Sequence, residues 1–194
     1  MKKQTGRAVF VIVATTLSLV LLLSIVWSWT TPKDEEDIVD LTFSAGNLIH
    51  GTGSITVETT LDQEPLWVED TDAKTDMFRR FESADGWCWA EVATWPLQGE
   101  ALALIGDDEK STEAWLKNWV RAEPQVDRRI KFNDQTSPRH VETMTVESDH
   151  SYLTIRAVPR AAVGASIYVQ CNGDGELSDA LIENVRLRTV ISQR

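Results

Sequence analysis

The chain has 194 residues, with 30 Asp and Glu against 19 Lys and Arg and a formal net charge of −11. That balance excludes general binding to nucleic acid or to anionic lipid, which needs clustered cations to displace counterions. The length allows one domain with a substantial core and hardly two.

At the N-terminus, Lys2, Lys3 and Arg7 precede a twenty-residue run, Ala8 to Trp27, that contains no charge. At 1.5 Å per helical residue such a run covers about 30 Å, the thickness of a bilayer core. It is longer than the apolar region of a secretory signal peptide and lacks a small-x-small cleavage site. Trp27 and Trp29 suit the headgroup level, and the solvated cluster Asp34, Glu35, Glu36 and Asp37 follows. The reading is an uncut anchor: residues 1–7 a basic cytoplasmic N-terminus, 8–29 a transmembrane helix, and the rest on the extracytoplasmic side by the positive-inside rule. Thr15, Thr16, Ser18 and Ser24 punctuate the span with small or hydroxylated residues that let a second helix approach.

Residues 30–76 read as an acidic stalk with a loosely structured segment. Twelve acids face two bases between Thr31 and Asp76, so the stretch is either a solvated stalk or a docking strip for a basic partner or divalent cations. Within it, "LTFSAGNLIHGTGSITVETTL" suggests a loose hairpin outside the core, and "EDTDAKTD" a polar loop.

Residues 77–194 read as the compact extracytoplasmic domain. "WCWAEVATW", "EALALIG", "DRRIKFND", "VETMTVES", "SYLTIRAVP" and "ASIYVQC" are strand-like, broken by turn residues and closely enough spaced for antiparallel meanders. In "SYLTIRAVP" the alternation puts Leu153, Ile155 and Ala157 inward and Thr154 and Arg156 toward water. Two segments have helical spacing. "STEAWLKNWVRAEP" carries Trp115, Leu116, Trp119 and Val120 on one face, with Ser111 as N-cap and Pro124 as terminator; "ELSDALIENVRLR" carries Leu177, Ala180, Leu181 and Val185. The predicted fold is α+β, an antiparallel sheet with both helices packed on one face, tethered by one N-terminal transmembrane helix.

Cys88 and Cys171, each inside a strand-like run of an exported domain, are expected to form a structural disulfide. Strand alternation then places Trp87 and Trp89 on the face opposite Cys88. They need either cover, for which Trp115 and Trp119 at i and i+4 are suited, or a ligand, for which stacked indoles form an aromatic platform for a sugar ring or a cation.

Catalytic signatures are absent: there is no G-x-S-x-G, S-x-x-K, H-E-x-x-H, P-loop or dinucleotide fingerprint. His50, His140 and His150 are scattered among loop-like segments. Asn172, Asp174, Glu176 and Glu183 fall at calcium-loop spacing, but Leu177 stands where the loop requires glycine, so the stretch reads as a Gly-rich turn. Asp107 and Asp108 lie at a turn with no sign of a pocket to split their pKa values. No cofactor or metal is implied. The expectation is a non-catalytic accessory or interaction module at the cell membrane, a subunit or regulator of a larger integral membrane complex. The alternative is a cell-wall glycan-binding domain or a hydrolase with an unfamiliar site.

Overall fold

The computed structural model describes residues 39–43, 48–49, 55–120, 125–134, 139–173 and 175–193. The chain divides into two units, Met1–Asp37 and Ile38–Arg194, and the described residues all belong to the second. The predicted span lies outside them, and no helix among them is long and apolar enough to cross a membrane.

Among the described residues ten strands run in the order β1 Val39–Leu41, β2 Ile55–Thr59, β3 Trp67–Thr75, β4 Phe78–Ser83, β5 Cys88–Pro96, β6 Arg128–Asp134, β7 Arg139–Ser148, β8 Ser151–Val158, β9 Val163–Cys171 and β10 Thr189–Gln193. Helices α1 Gly99–Ala103 and α2 Asp108–Trp119 connect β5 to β6, and α3 Asp179–Leu187 connects β9 to β10. Eight strands form one sheet, β1-β7-β8-β9-β5-β4-β3 with β6 also on β7, while β2 and β10 pair separately. The fold is thus mostly antiparallel sheet with a few helices, in line with the α+β expectation.

The sheet is covered on both faces. Ala90, Val92, Ile167 and Val169 meet Ile55 of β2, Ile191 of β10, and Ile182 and Val185 of α3 in one core. Met144, Ile155 and Ala157 meet Ala101 of α1 and Ala114, Trp115 and Leu116 of α2 in the other. The two long helices therefore serve opposite cores, not one face as expected. A sheet this wide has two apolar faces to bury, and each helix has one stripe. Gly164 of β9 lets the Trp115 ring lie directly on the strand, since any Cβ there would overlap it.

The alternation read along β8 fails for the same reason. Thr154 and Arg156 are buried, because β8 lies mid-sheet with cover on both sides. Thr154 is accommodated by a hydroxyl chain: Thr145 Oγ1 donates to Thr154 Oγ1 (2.9 Å), which donates to Thr143 Oγ1 (2.6 Å), which donates to the Ile130 carbonyl (3.0 Å). Every hydroxyl thus has a partner without water.

Arg156 occupies a fork. β8 pairs with β7 only from Met144 to Ser148, and β1, parallel, takes the same edge at Arg139 to Val141, because β6 holds the other. Carbonyls at the opening lose strand partners. Arg156 Nη1 donates to two of them, Glu142 O (2.9 Å) and Leu41 O (3.3 Å), and Nη2 pairs with Asp108 Oδ2 at 2.8 Å. Neither charged side chain is more than 1% exposed. Asp108 Oδ2 also accepts from Ile49 N (3.0 Å), Glu142 Oε2 accepts from Phe43 N (2.6 Å), and the Phe43 ring lies 4.2 Å from the guanidinium carbon.

Five local expectations are corrected. The stretch expected as a loose hairpin outside the core contributes buried Leu41, Phe43, Ile49, Ile55 and Leu61, and its strands pair with distant β7 and β10 rather than with each other. "EDTDAKTD" supplies all of edge strand β3 beyond Val68, where Glu69 is largely buried and paired with Arg79 and Lys74 while Asp72 is exposed; a bulge after Asp70 lets its Oδ1 accept from Asp72 N and Ala73 N. "EALALIG" supplies α1, consistent with Ala, Leu and Glu being helix formers. α2 starts at Asp108 with Asp107 as N-cap, accepting from Lys110 N (3.0 Å), and ends at Trp119 rather than at Pro124; Ser111 instead donates to Ala101 O (2.6 Å). Ser178 caps α3, and the buried residues of that helix are Ile182 and Val185, with Leu177 and Leu181 half-buried and Ala180 exposed.

Replacing Arg156 with Met is expected to cost on the order of 3–5 kcal/mol, because it leaves the Asp108 carboxylate buried without its cation. Denaturant melts of the variant measure this; a loss below about 1 kcal/mol would show that the pair is not needed to close the fork.

Candidate interaction surface

The surface is built by register. Cys88 and Cys171 stand directly opposite each other on β5 and β9 and are joined by a disulfide across 83 residues of sequence. Asn172 N donates to Trp87 O beside them, which marks a non-hydrogen-bonded position, where cross-strand side chains come closest. With that pair opposed, Trp89 falls opposite Gln170 and Glu91 opposite Tyr168. β4 and β3 extend both rows, Glu82 and Val68 beside Trp89, Arg80 and Asp70 beside Glu91. On the opposite face the same strands bury Ala90, Val92, Ile167 and Val169.

Helix α2 covers one end of this polar-aromatic face only. Trp119 meets Trp95 edge to face (6.3 Å) and Trp115 (6.3 Å), and Trp95 in turn meets Phe78 (6.0 Å) and donates from Nε1 to Ser166 Oγ (2.9 Å). The expected cover of Trp87 and Trp89 by Trp115 and Trp119 is therefore corrected: those indoles cover Trp95 and Gly164, at the far end of β5 from Trp89. Trp89 is half-buried against Tyr168, ring centroids 5.0 Å apart at 75°, with the Arg80 guanidinium 4.6 Å from its ring centre. Trp87, 46% exposed, rests beside Gly173 and Gly175, where a Cβ would crowd it.

The charges on this face are imperfectly matched. Arg80 Nη1 lies 3.6 Å from Glu91 Oε1, and Arg80 Nε is shut off from solvent with no hydrogen-bond partner. Burial pushes the Glu91 carboxyl above its ordinary pKa, with Arg80 opposing. Burial, then the nearby Glu91 charge, pushes the Tyr168 phenol up. Its hydroxyl donates to Gln170 Oε1 (2.8 Å).

The histidines and carboxylates singled out from the sequence do not converge. His140 is half-buried on β7, His150 is exposed in the β7–β8 turn, and His50 and Asp174 lie outside the described residues. His150, Glu147, Asp149 and Glu176 line an open recess of about 730 Å³ between that turn and the loop after β9. Glu183 is on α3, paired with Arg186 (2.9 Å). Among the described residues no three His, Cys, Asp or Glu side chains are grouped to hold a metal ion. Of the acid pair, Asp107 caps α2 and Asp108 is bound to Arg156.

Glu91, Tyr168 and Gln170 were legible in principle, since an opposed Cys88 and Cys171 fixes which residues face each other along both strands. Arg80 was not, because β4 has no periodic signature of its own. The chain matches no family model, no curated protein and no solved structure.

Two outcomes follow. Alkylation without reduction should label neither cysteine, and reduction should cost about 4 kcal/mol in a denaturant melt, by the entropy of an 83-residue loop. Glu91→Gln should raise stability at neutral pH. The folded-state pKa of Glu91 is raised, so its ionised form is the unfavourable one in the fold, and that penalty is relieved as pH falls through the carboxylate range. The gain from Glu91→Gln should shrink over the same range in thermal melts; a gain independent of pH would exclude this origin.

Proposed function

We propose that this chain is a single-pass, membrane-anchored interaction module. Its N-terminus is cytoplasmic, its disulfide-bonded domain lies on the extracytoplasmic side, and it serves as a non-catalytic subunit or regulator of a larger membrane complex of a bacterial-type envelope. The observation that carries this reading is the cross-strand disulfide within a compact unit that begins at Ile38, shortly after an uncharged apolar run of twenty residues. Disulfides persist in oxidising compartments, and a run of that length and hydrophobicity suits a bilayer span. A surface of aromatic and charged side chains on a rigid sheet suits recognition of a partner.

A second reading, a cell-wall glycan-binding domain or a hydrolase acting there, is favoured by one observation: Trp87 is exposed and Trp89 half-exposed beside hydrogen-bonding groups. Indoles flanked by such groups bind sugars by stacking.

The full-length chain in native membranes separates these. On the first reading it resists carbonate extraction, keeps its N-terminal sequence, and is cleaved by protease only from the extracytoplasmic side. It copurifies with an integral membrane complex in mild detergent, and exchanging Ala8 to Trp27 for an unrelated span weakens that association. A mature N-terminus between Ser24 and Asp40 would overturn the anchor. Retention on purified cell wall, lost in Trp87→Ala or Trp89→Ala with no complex recovered, would establish the second reading.

A further inference from the structure

The helix layer stops partway along its sheet face. Two rows of side chains continue beyond it: Val68, Glu82, Trp89 and Gln170, then Asp70, Arg80, Glu91 and Tyr168. Val68 is 61% exposed and Glu82 is exposed, while Trp89, Tyr168 and Gln170 are half-buried. Val68 shares a row with Trp89, with Glu82 between them, so apolar and acidic side chains alternate across the face.

Its charge selects the partner. Asp70, Glu82 and Glu91 face a single cation, Arg80, on a domain that is itself acidic. A phosphate or another anionic ligand would be repelled here. Arg80 meanwhile shows what the surface accepts: a guanidinium over the Trp89 ring at 4.6 Å, beside the Glu91 carboxylate. Yet the fit is loose. The approach to Glu91 is 3.6 Å, and Nε is left without a partner. Planar guanidinium on indole with a neighbouring carboxylate is a favourable arrangement that an incoming arginine can share or take over. An indole face already carrying a guanidinium offers less room for a sugar ring to stack.

We infer that this sheet face, left open among the described residues, docks an arginine- or lysine-bearing segment of a partner protein, its cationic groups received by Glu91, Glu82 and Asp70 and its stems by Trp89, Tyr168 and Val68. The inference rests on the interaction-module reading and names the surface and the chemistry of the partner. Arg80 is then an internal competitor, holding the cation position until the partner arrives.

The test uses the full chain in nonionic detergent and a fluorescein-labelled Arg-Leu-Arg-Leu-Arg amide, with binding read by anisotropy at physiological salt. Glu91→Gln and Glu82→Gln should each weaken binding about tenfold, the scale of a lost charge contact in an interface. Glu82 is exposed, so its variant does not threaten the fold. Arg80→Ala should tighten binding severalfold. Glu113→Gln and Arg160→Ala make the same charge changes at exposed positions elsewhere and should leave affinity unchanged. Equal effects of the face and control variants would reduce the binding to general attraction by an acidic protein and overturn the assignment. So would unchanged affinity in both face variants, weaker binding by Arg80→Ala, or binding of a cell-wall oligosaccharide in place of the peptide. Each of these leaves copurification with a membrane complex, the test of the module reading, standing on its own.

Discussion

The buried pair of Arg156 and Asp108 is the constraint around which the domain closes. A sheet whose central strands part must leave backbone carbonyls without partners, and an apolar residue at the opening would bury them unsatisfied. Arginine can answer two carbonyls and a carboxylate at once because its donors form a fixed planar fork. Burial draws the Arg156 pKa below its ordinary value, while Asp108 and Glu142 oppose the shift. A guanidinium is not deprotonated in proteins, so the site keeps its charge. The arrangement is not complete, since Arg156 Nε and Asp108 Oδ1 have no hydrogen-bond partner. What it secures is connection: Leu41 O, Ile49 N and the first turn of α2 are tied to β8 through one guanidinium and one carboxylate.

From that point the two cores separate. One is closed by β2, β10 and α3 and the other by α1 and α2, and Arg156 touches residues of both: Leu41 belongs to the first and Phe43 to the second. The chain that leads in from the N-terminus is thus held by buried polar groups as well as by apolar contact.

The disulfide plays the matching role across the sheet. It joins β5 to β9 at one end of their ladder, with Trp87 and the loop after β9 packed around it. The rows that follow, Trp89 with Gln170 and Glu91 with Tyr168, are carried on two cross-linked strands and so keep their spacing without a ligand. A pre-arranged surface of this kind loses little entropy on binding. The same rigidity explains how Glu91 can be held partly desolvated beside an arginine that does not fully satisfy it.

How much of this could be read from the chain follows from range. Strands β5 to β9, the existence of α2 and α3 and the pairing of the two cysteines were legible in the chain, because those depend on local periodicity, turn residues and the count of thiols. The sequence also carried the anchor reading, whose residues lie outside those described. It missed β3, whose edge position tolerates acids that look like loop, and β10, which closes against β2 more than a hundred residues away. It placed Thr154 and Arg156 in water, since alternation tells two faces apart but not whether both are covered. Only tertiary structure decided that the helices serve opposite cores, that Trp115 and Trp119 cover Trp95 rather than Trp89, and that Arg80 sits on the Trp89 ring. Each of these is set by which surfaces meet, and that depends on the packing of distant segments rather than on any pattern along one of them.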